Sequence, residues 1–409
     1  MTEQRTRKYH SFLIPAPAFF AVLCLWFFLP STNAAEDIQF SGFARVIGGA
    51  TDSDMVAYEG YNESFRMSNQ SLIALQLEQA LSERLTIATQ LLAHGSDERD
   101  SGVEWLYLRY QASPNWRVKA GKLRSSFLNY SDVVDVGFAY PWITPPQQVY
   151  TSYFFSSYEG VNASYDYATS SFNLNLEFYF GSFDDAVVSA NTEIDTSIDF
   201  LKGTIATFEM GQFKLRGSVH HSTEVTLGLN SIDVFSDLLA QQGFVNSARS
   251  LDTSGSVIIR QAGLSYDDLK YFFATEWLNI DSQINIAPEV SAYYVMVGRH
   301  WNDISFHFTV GELNNKPGAM VNEIPLGVSP QLDFLALQYQ NIFRENGRGD
   351  YTSTTLGIRW DFRSKMAMKA EWTRISGEPD QANFQVSQLD TFPDDQTINL
   401  LQIGLEWVF

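Results

Sequence analysis

Apolar and polar side chains alternate with period two through much of the chain. Phe172, Leu174, Leu176, Phe178 and Phe180 are separated by Asn173, Asn175, Glu177 and Tyr179. Ile304, Phe306, Phe308 and Val310 alternate with Ser305, His307 and Thr309, and Leu356, Ile358, Trp360 and Phe362 with Thr355, Gly357, Arg359 and Asp361. Successive side chains of a strand point to opposite faces, so each segment has one bulky apolar face and one polar face. The segments run to about 9–12 residues, near what a tilted strand needs to cross a bilayer and longer than the usual globular strand of about 5–6. A soluble β-sandwich shows the same alternation, but its connections have no reason to alternate in length. Here tight turns such as Ser82-Glu83, Asn302-Asp303 and Arg363-Ser364-Lys365 alternate with long connections near 48–70, 94–102, 125–158, 182–197, 222–255, 280–290, 312–350 and 376–396. Short turns on one rim and long loops on the other are the anatomy of a membrane barrel.

The expected fold class is therefore all-β: a transmembrane antiparallel β-barrel of about 16 strands, from 37–47 to 397–409, with an even strand number as single-chain bacterial barrels have. Read as a strand, segment 332–346 would spoil that parity, so a short helix inside the loop 312–350 is expected. A Lys or Arg facing lipid at mid-depth costs about 2–4 kcal/mol, which assigns the faces. Lys214 and Arg216 share a face with Ser218 and His220, opposite Phe213, Leu215 and Val219, and so point to the lumen. By the same rule Arg45, Arg359, Asp361, Lys369 and Glu371 point inward. In the closing strand Leu401, Ile403, Leu405, Trp407 and Phe409 form the lipid-facing rail, leaving Gln402 and Glu406 to the lumen. A barrel tolerates no free edge, so this strand is expected to pair with 37–47.

Composition narrows the class. With 45% hydrophobic and 14% aromatic residues the chain is too apolar for a disordered protein. Arg5, Arg7 and Lys8 precede an apolar run over 18–29 and a small-residue exit, Ser31 to Ala35. That is the pattern of a secretory signal peptide over 1–34, too short to span a bilayer, followed by a barrel over 35–409. The single cysteine, Cys24, would leave with the signal, which excludes disulfides, thiolate metal sites and a cysteine nucleophile. No cofactor is expected. The formal charge of −20 becomes about −22 once Arg5, Arg7 and Lys8 against Glu3 are removed, a balance that does not attract nucleic acid.

Two stretches carry candidate chemistry. Residues 116–124, "WRVKAGKLR", hold four bases: Arg117 and Lys119 of one parity, Lys122 and Arg124 of the other. A bulge at Gly121 would bring Lys119 and Arg124 to one side, whereas without it the second pair reaches out at the strand end. The third long loop, 125–158, follows directly. It is too aromatic for a solvated loop, so its rings are expected to pack inside the barrel, with Asp132 and Asp135 facing the basic wall. A surface loop over a neighbouring subunit is the alternative.

The apolar stripe ending in Phe409 resembles the C-terminal strand of Gram-negative outer-membrane barrels, which the barrel-assembly machinery reads. The resemblance makes Trp407 and Phe409 the assembly signal. The signal, the strand count and the aromatic third loop after a basic strand together resemble the trimeric general porins. In that family an inward third loop sets acidic residues against basic wall residues. The resemblance implies Asp132 and Asp135 on the acidic side, with Arg45, Lys119, Arg124, Lys214 and Arg216 as candidates for the basic side. It also implies a homotrimer in the outer-membrane bilayer that passes small hydrophilic solutes or ions. The enteric loop signature Pro-Glu-Phe-Gly-Gly-Asp is absent; "YPWITPP" stands there, so the resemblance is specific for the barrel rather than for pore chemistry. The acidic total favours cations and the basic wall an anion-binding step. An adhesion or structural barrel remains the alternative, then a barrel hydrolase at His220-His221-Ser222, which lacks the Asn-Gly that follows the histidine and serine of barrel lipases.

Overall fold

The computed structural model describes residues 38–96, 99, 101–150, 155–189, 192–345, 349–381, 384–386 and 396–409; the signal expected over 1–34 lies outside them. Sixteen antiparallel strands close into one barrel. They are Gln39–Thr51, Leu72–Ser82, Leu85–His94, Gly102–Gln111, Trp116–Arg124, Ser157–Ala168, Asn173–Ser189, Thr192–Met210, Phe213–Leu227, Ser254–Asp267, Tyr271–Ser282, Glu289–Trp301, Ile304–Lys316, Tyr351–Arg363, Met366–Gly377 and Gln396–Val408. Sequence neighbours pair throughout, and the first and last strands close the ring from Phe43↔Val408 to Thr51↔Leu400. Gly42 and Phe409 extend that seam with two reciprocal backbone bonds of 2.9 Å. A Cβ at Gly42 would sit 2.5 Å from the Phe409 ring, so the seam closes only on glycine.

Alternation fixes the two faces as expected. Phe178, Phe180, Leu215, Val219, Phe306, Phe308, Leu401 and Ile403 are exposed on the outside. The intervening Tyr179, Arg216, Ser218, His307 and Gln402 are buried within. The apolar exterior and polar interior invert the arrangement of a soluble protein.

The segment that threatened the parity is the helix Pro330–Glu345, and the strand count stands. The connection expected to be long near 182–197 is instead a paired hairpin, from Phe183↔Ile198 to Ser189↔Thr192. β-branched Val187, Ile194, Thr196 and Ile198 favour its extended strands. Two other loops fold on each other: Tyr339 of the helix Pro330–Glu345 bonds Ser250 at 2.5 Å, and Glu323 accepts the Asn246 N–H at 2.8 Å.

Candidate functional site

Residues 125–150 leave the strand Trp116–Arg124 through two 3₁₀ turns, Ser131–Val133 and Gly137–Ala139, and end in the one-turn helix Gln147–Tyr150. Phe127, Tyr140, Trp142 and Ile143 are no more than 1% exposed. Their neighbours are interior side chains: the Phe127 ring lies 4.3 Å from the His220 ring, and Trp142 stands edge-on to Tyr294 at 5.4 Å.

The backbone of this segment is held by charges of the wall, and the signs sort by group. Wall cations take carbonyls. Arg45 donates to the Val134 carbonyl (3.5 Å), Arg124 to that of Ser131 (2.9 Å), and Arg216 to that of Ser126. Arg359 donates to the carbonyls of Phe138 (2.8 Å) and Tyr140 (2.9 Å), and Lys369 to those of Gly137 (2.7 Å) and Trp142. Wall acids take N–H groups. Glu276 accepts from the Asn129 N–H and the Tyr150 hydroxyl, both at 2.8 Å, and Glu371 accepts the Ile143 N–H at 2.9 Å. Peptide groups removed from water need such partners, and charge-assisted bonds are the strong ones.

Some of the anchoring charges are paired in turn. Lys369 meets Glu406 at 2.6 Å with both side chains no more than 1% exposed, and His307 meets Glu371 at 3.2 Å. Asp135 lies between Arg99 (2.6 Å) and Arg124 (2.8 Å), and Glu104 bonds both guanidiniums. Burial alone would raise the Asp135 carboxyl, but Arg124 and Arg99 beside it hold it well below the ordinary carboxylate range.

The expected site residues thus separate. Arg45, Arg124, Arg216 and Asp135 converge on the loop segment and are buried or nearly so. Asp132 remains exposed and accepts the Ser126 hydroxyl at 2.7 Å. Lys119 is half-buried over the Tyr107 ring, 5.4 Å from its centre, and among the described residues makes no ion pair. Lys214 lies apart, exposed beside the turn at Gly211, 4.0 Å from Glu209. Trp407 and Phe409 stand in the outer row. The bulge expected at Gly121 is absent: Tyr107↔Gly121 and Gly121↔Gly160 keep register on both sides. Gly121 instead adopts φ +137°, where a Cβ would lie 2.4 Å from the Leu106 carbonyl oxygen. Arg124, the last residue of the strand, reaches Ser131 and Asp135 of the loop segment.

Around Lys119 the interior wall is half-exposed and polar. Glu78 pairs with Arg109 at 3.1 Å, Arg117 with Asp166 at 3.0 Å, and Glu177 accepts from Asn162 at 3.1 Å. Sequence reasoning missed Glu276, and Glu104 with its partner Arg99. Glu276 had a usable signal: a carboxylate midway along the strand "YFFATEWLNIDS", on the face opposite Trp277, has to point inward and find donors there. At the histidine pair, the His220 ring bonds Ser218 at 2.7 Å and the Tyr179 hydroxyl, beneath Phe127, rather than Ser222.

No protein-family model matches the sequence, and neither does any curated protein. Solved structures do. An anion-selective porin from Comamonas acidovorans aligns over 91% of this chain and 99% of its own, at 10% identity and a TM-score of 0.55. OmpF of Salmonella typhi, in complex with daunomycin, aligns over 93% and 100% at 12% identity and a TM-score of 0.53. A loop-deletion form of OmpT, an outer membrane protein of Vibrio cholerae, aligns over 92% and 100% at 12% identity and 0.53. At these identities the likeness is one of fold, and the fold is that of the Gram-negative outer-membrane porins.

Proposed function

We infer that the protein is an outer-membrane porin through which small hydrophilic solutes or ions diffuse passively. The carrying observation is the division of the interior wall. Segment 125–150 is bonded to one part of it, and the part around Lys119 keeps half-exposed charged and amide side chains in contact with water. A loop that narrows the lumen while leaving a polar passage beside it limits solutes by size and by the sign of the lining charges. Across that passage most charges cancel in pairs: Glu78 with Arg109, Arg117 with Asp166, Glu209 with Lys214. Asp132 and Glu177 then stand against Lys119, which favours cations weakly.

The test is conductance in planar bilayers under a salt gradient. Stepwise openings with a weak cation preference are expected. Asp132→Asn moves the reversal potential toward anions and Lys119→Gln toward cations. A silent membrane would remove the channel and leave the adhesion or structural reading, which the folded outer loops at Tyr339 and Glu323 favour. Assembly through the barrel-assembly machinery and a homotrimer belong to the same proposal. Deleting Phe409 is expected to lower outer-membrane levels more than it alters the conductance of the molecules that do assemble.

A further inference from the structure

Three neighbouring stretches of the long-loop rim, 182–199, 228–248 and 317–343, contain no Lys, Arg or His. They are joined in space. The Gly228 N–H donates to the Asp195 carbonyl at 2.7 Å, and Glu323 accepts both the Asn246 N–H (2.8 Å) and its side-chain amide (2.6 Å). Asp184, Asp185, Asp195, Asp233, Asp237 and Glu323 are exposed there, so the side-chain charge of this sector is of one sign.

Two helices set apolar side chains into that field. Pro330–Glu345 buries Ala336 and Tyr339, with Leu332, Leu335 and Ile342 packed on the same core. Its other face carries Gln331, Phe334, Leu337 and Gln338, and none of these is charged. Phe334 is 61% exposed, beside an open recess of about 380 Å³ that Pro330, Gln331 and Leu335 also line. Leu326 and Val328, both exposed, precede the helix, and the Gly327 N–H between them donates to the Asp333 carboxylate at 2.6 Å. The helix Asn230–Gln241 is built alike: Leu239 is buried, while Val234 and Leu238 are exposed, with Asp233 and Asp237 one position before each. Acids and apolar side chains thus run in parallel rows. Single exposed apolar residues need no explanation, but rows of them on folded helices mark an interaction surface.

Apolar rows flanked by acids and free of bases select a partner by charge. Phosphate-bearing partners are repelled, and a second copy of the chain would bring the same acids face to face. A basic amphipathic segment is matched on both counts, its apolar side chains against the helix rows and its Lys or Arg residues against the acids. We propose that this sector is the docking face for such a polypeptide, arriving from the long-loop side. Phe334 and Leu337 take its apolar anchors, and Asp233 and Asp237 steer it. The inference goes beyond the passage of solutes and rests on the outer-membrane reading above for its orientation.

The test is titration of a fluorescent, helix-forming peptide, with Leu on one face and Lys on the other, against the full barrel in phosphatidylcholine nanodiscs. Empty discs give the background. Saturable binding above that background is expected, and none by the same peptide with Glu in place of Lys. Phe334→Ser and Leu337→Ser, both on the exposed helix face, should each weaken binding about tenfold. Asp233→Asn together with Asp237→Asn should slow association about threefold and flatten its salt dependence. Binding no greater than to empty discs, equal binding of the Glu peptide, or unchanged affinity in all the variants would overturn the proposal. Binding in discs that is missing on intact cells carrying the barrel would overturn the orientation it assumes. Conductance separates this proposal from the porin reading: channels that open while the peptide fails to bind sink the docking face alone, and binding by a barrel that conducts nothing does the reverse.

Discussion

The two parts of the interior wall have similar side chains in different solvents. Around Lys119, charged pairs such as Arg109–Glu78 are a quarter to a third exposed and close over short distances along the wall. On the part that bears Lys369, Glu371, Glu276 and Glu406, comparable charges are fully buried; Lys369, Glu371 and Glu276 spend hydrogen bonds on the backbone of 125–150, and Glu406 meets Lys369. Charge in the first region interacts with whatever crosses the lumen. In the second it is structural and needs its partners, because an ion in low dielectric without one is costly. Basic wall residues are therefore not equivalent, and burial decides which of them a passing ion meets.

The largest effect that would break this contrast is at Lys369. Lys369→Met leaves Glu406 buried without its cation and two loop carbonyls without a donor, a loss of about 3–5 kcal/mol. Thermal unfolding followed by heat-modified gel migration reads it, and Glu406→Leu added to Lys369→Met should recover much of the loss. Arg124→Gln comes next, at about 1.5–3 kcal/mol, since Arg99 still holds Asp135. Its further signature is a larger and noisier conductance as the loop loosens.

Acid gives a smaller and one-sided effect. Asp135 has its folded value depressed, so its contribution is complete above the unfolded carboxyl value of about 3.9 and is lost as pH falls through the lower folded value. Conductance steps at pH 4.5 are therefore expected to keep their neutral-pH size, and a loop that loosens already at that pH would contradict the Asp135 clamp. Smallest in stability is Asp132→Asn, within about 0.5 kcal/mol because the side chain is exposed. Its whole effect should fall on the reversal potential, which sharpens the contrast with Asp135.

The strands, their faces and the seam were legible because a period of two admits few alternatives once charges are kept from lipid. Arg45, Arg216, Arg359 and Lys369 were all placed inward by that cost alone. What each one meets was not legible, since Arg359 reaches a carbonyl 219 residues away in sequence. The same cost also misjudges cations nearer the long-loop rim. Lys202 and Arg260 lie on the outer row, opposite Phe180 and Val219, where long side chains reach water and Arg260 meets Asn279 at 3.2 Å. The separation of Asp132 from Asp135 was hidden too. They are near neighbours on one short turn, and only the path of the chain buries one and exposes the other.

The ties between the wall and residues 126–143 have a consequence for protease attack. Cleavage of a native protein samples segments that open at little free-energy cost. Length and lack of strand would mark this connection as the obvious cut site, yet opening it means withdrawing buried ionic bonds at Lys369, Glu276 and Glu371 together. Protease added to the long-loop side should nick the exposed stretch around Leu326 and Val328 long before it touches Trp142, so that a connection by topology resists digestion as if it were core.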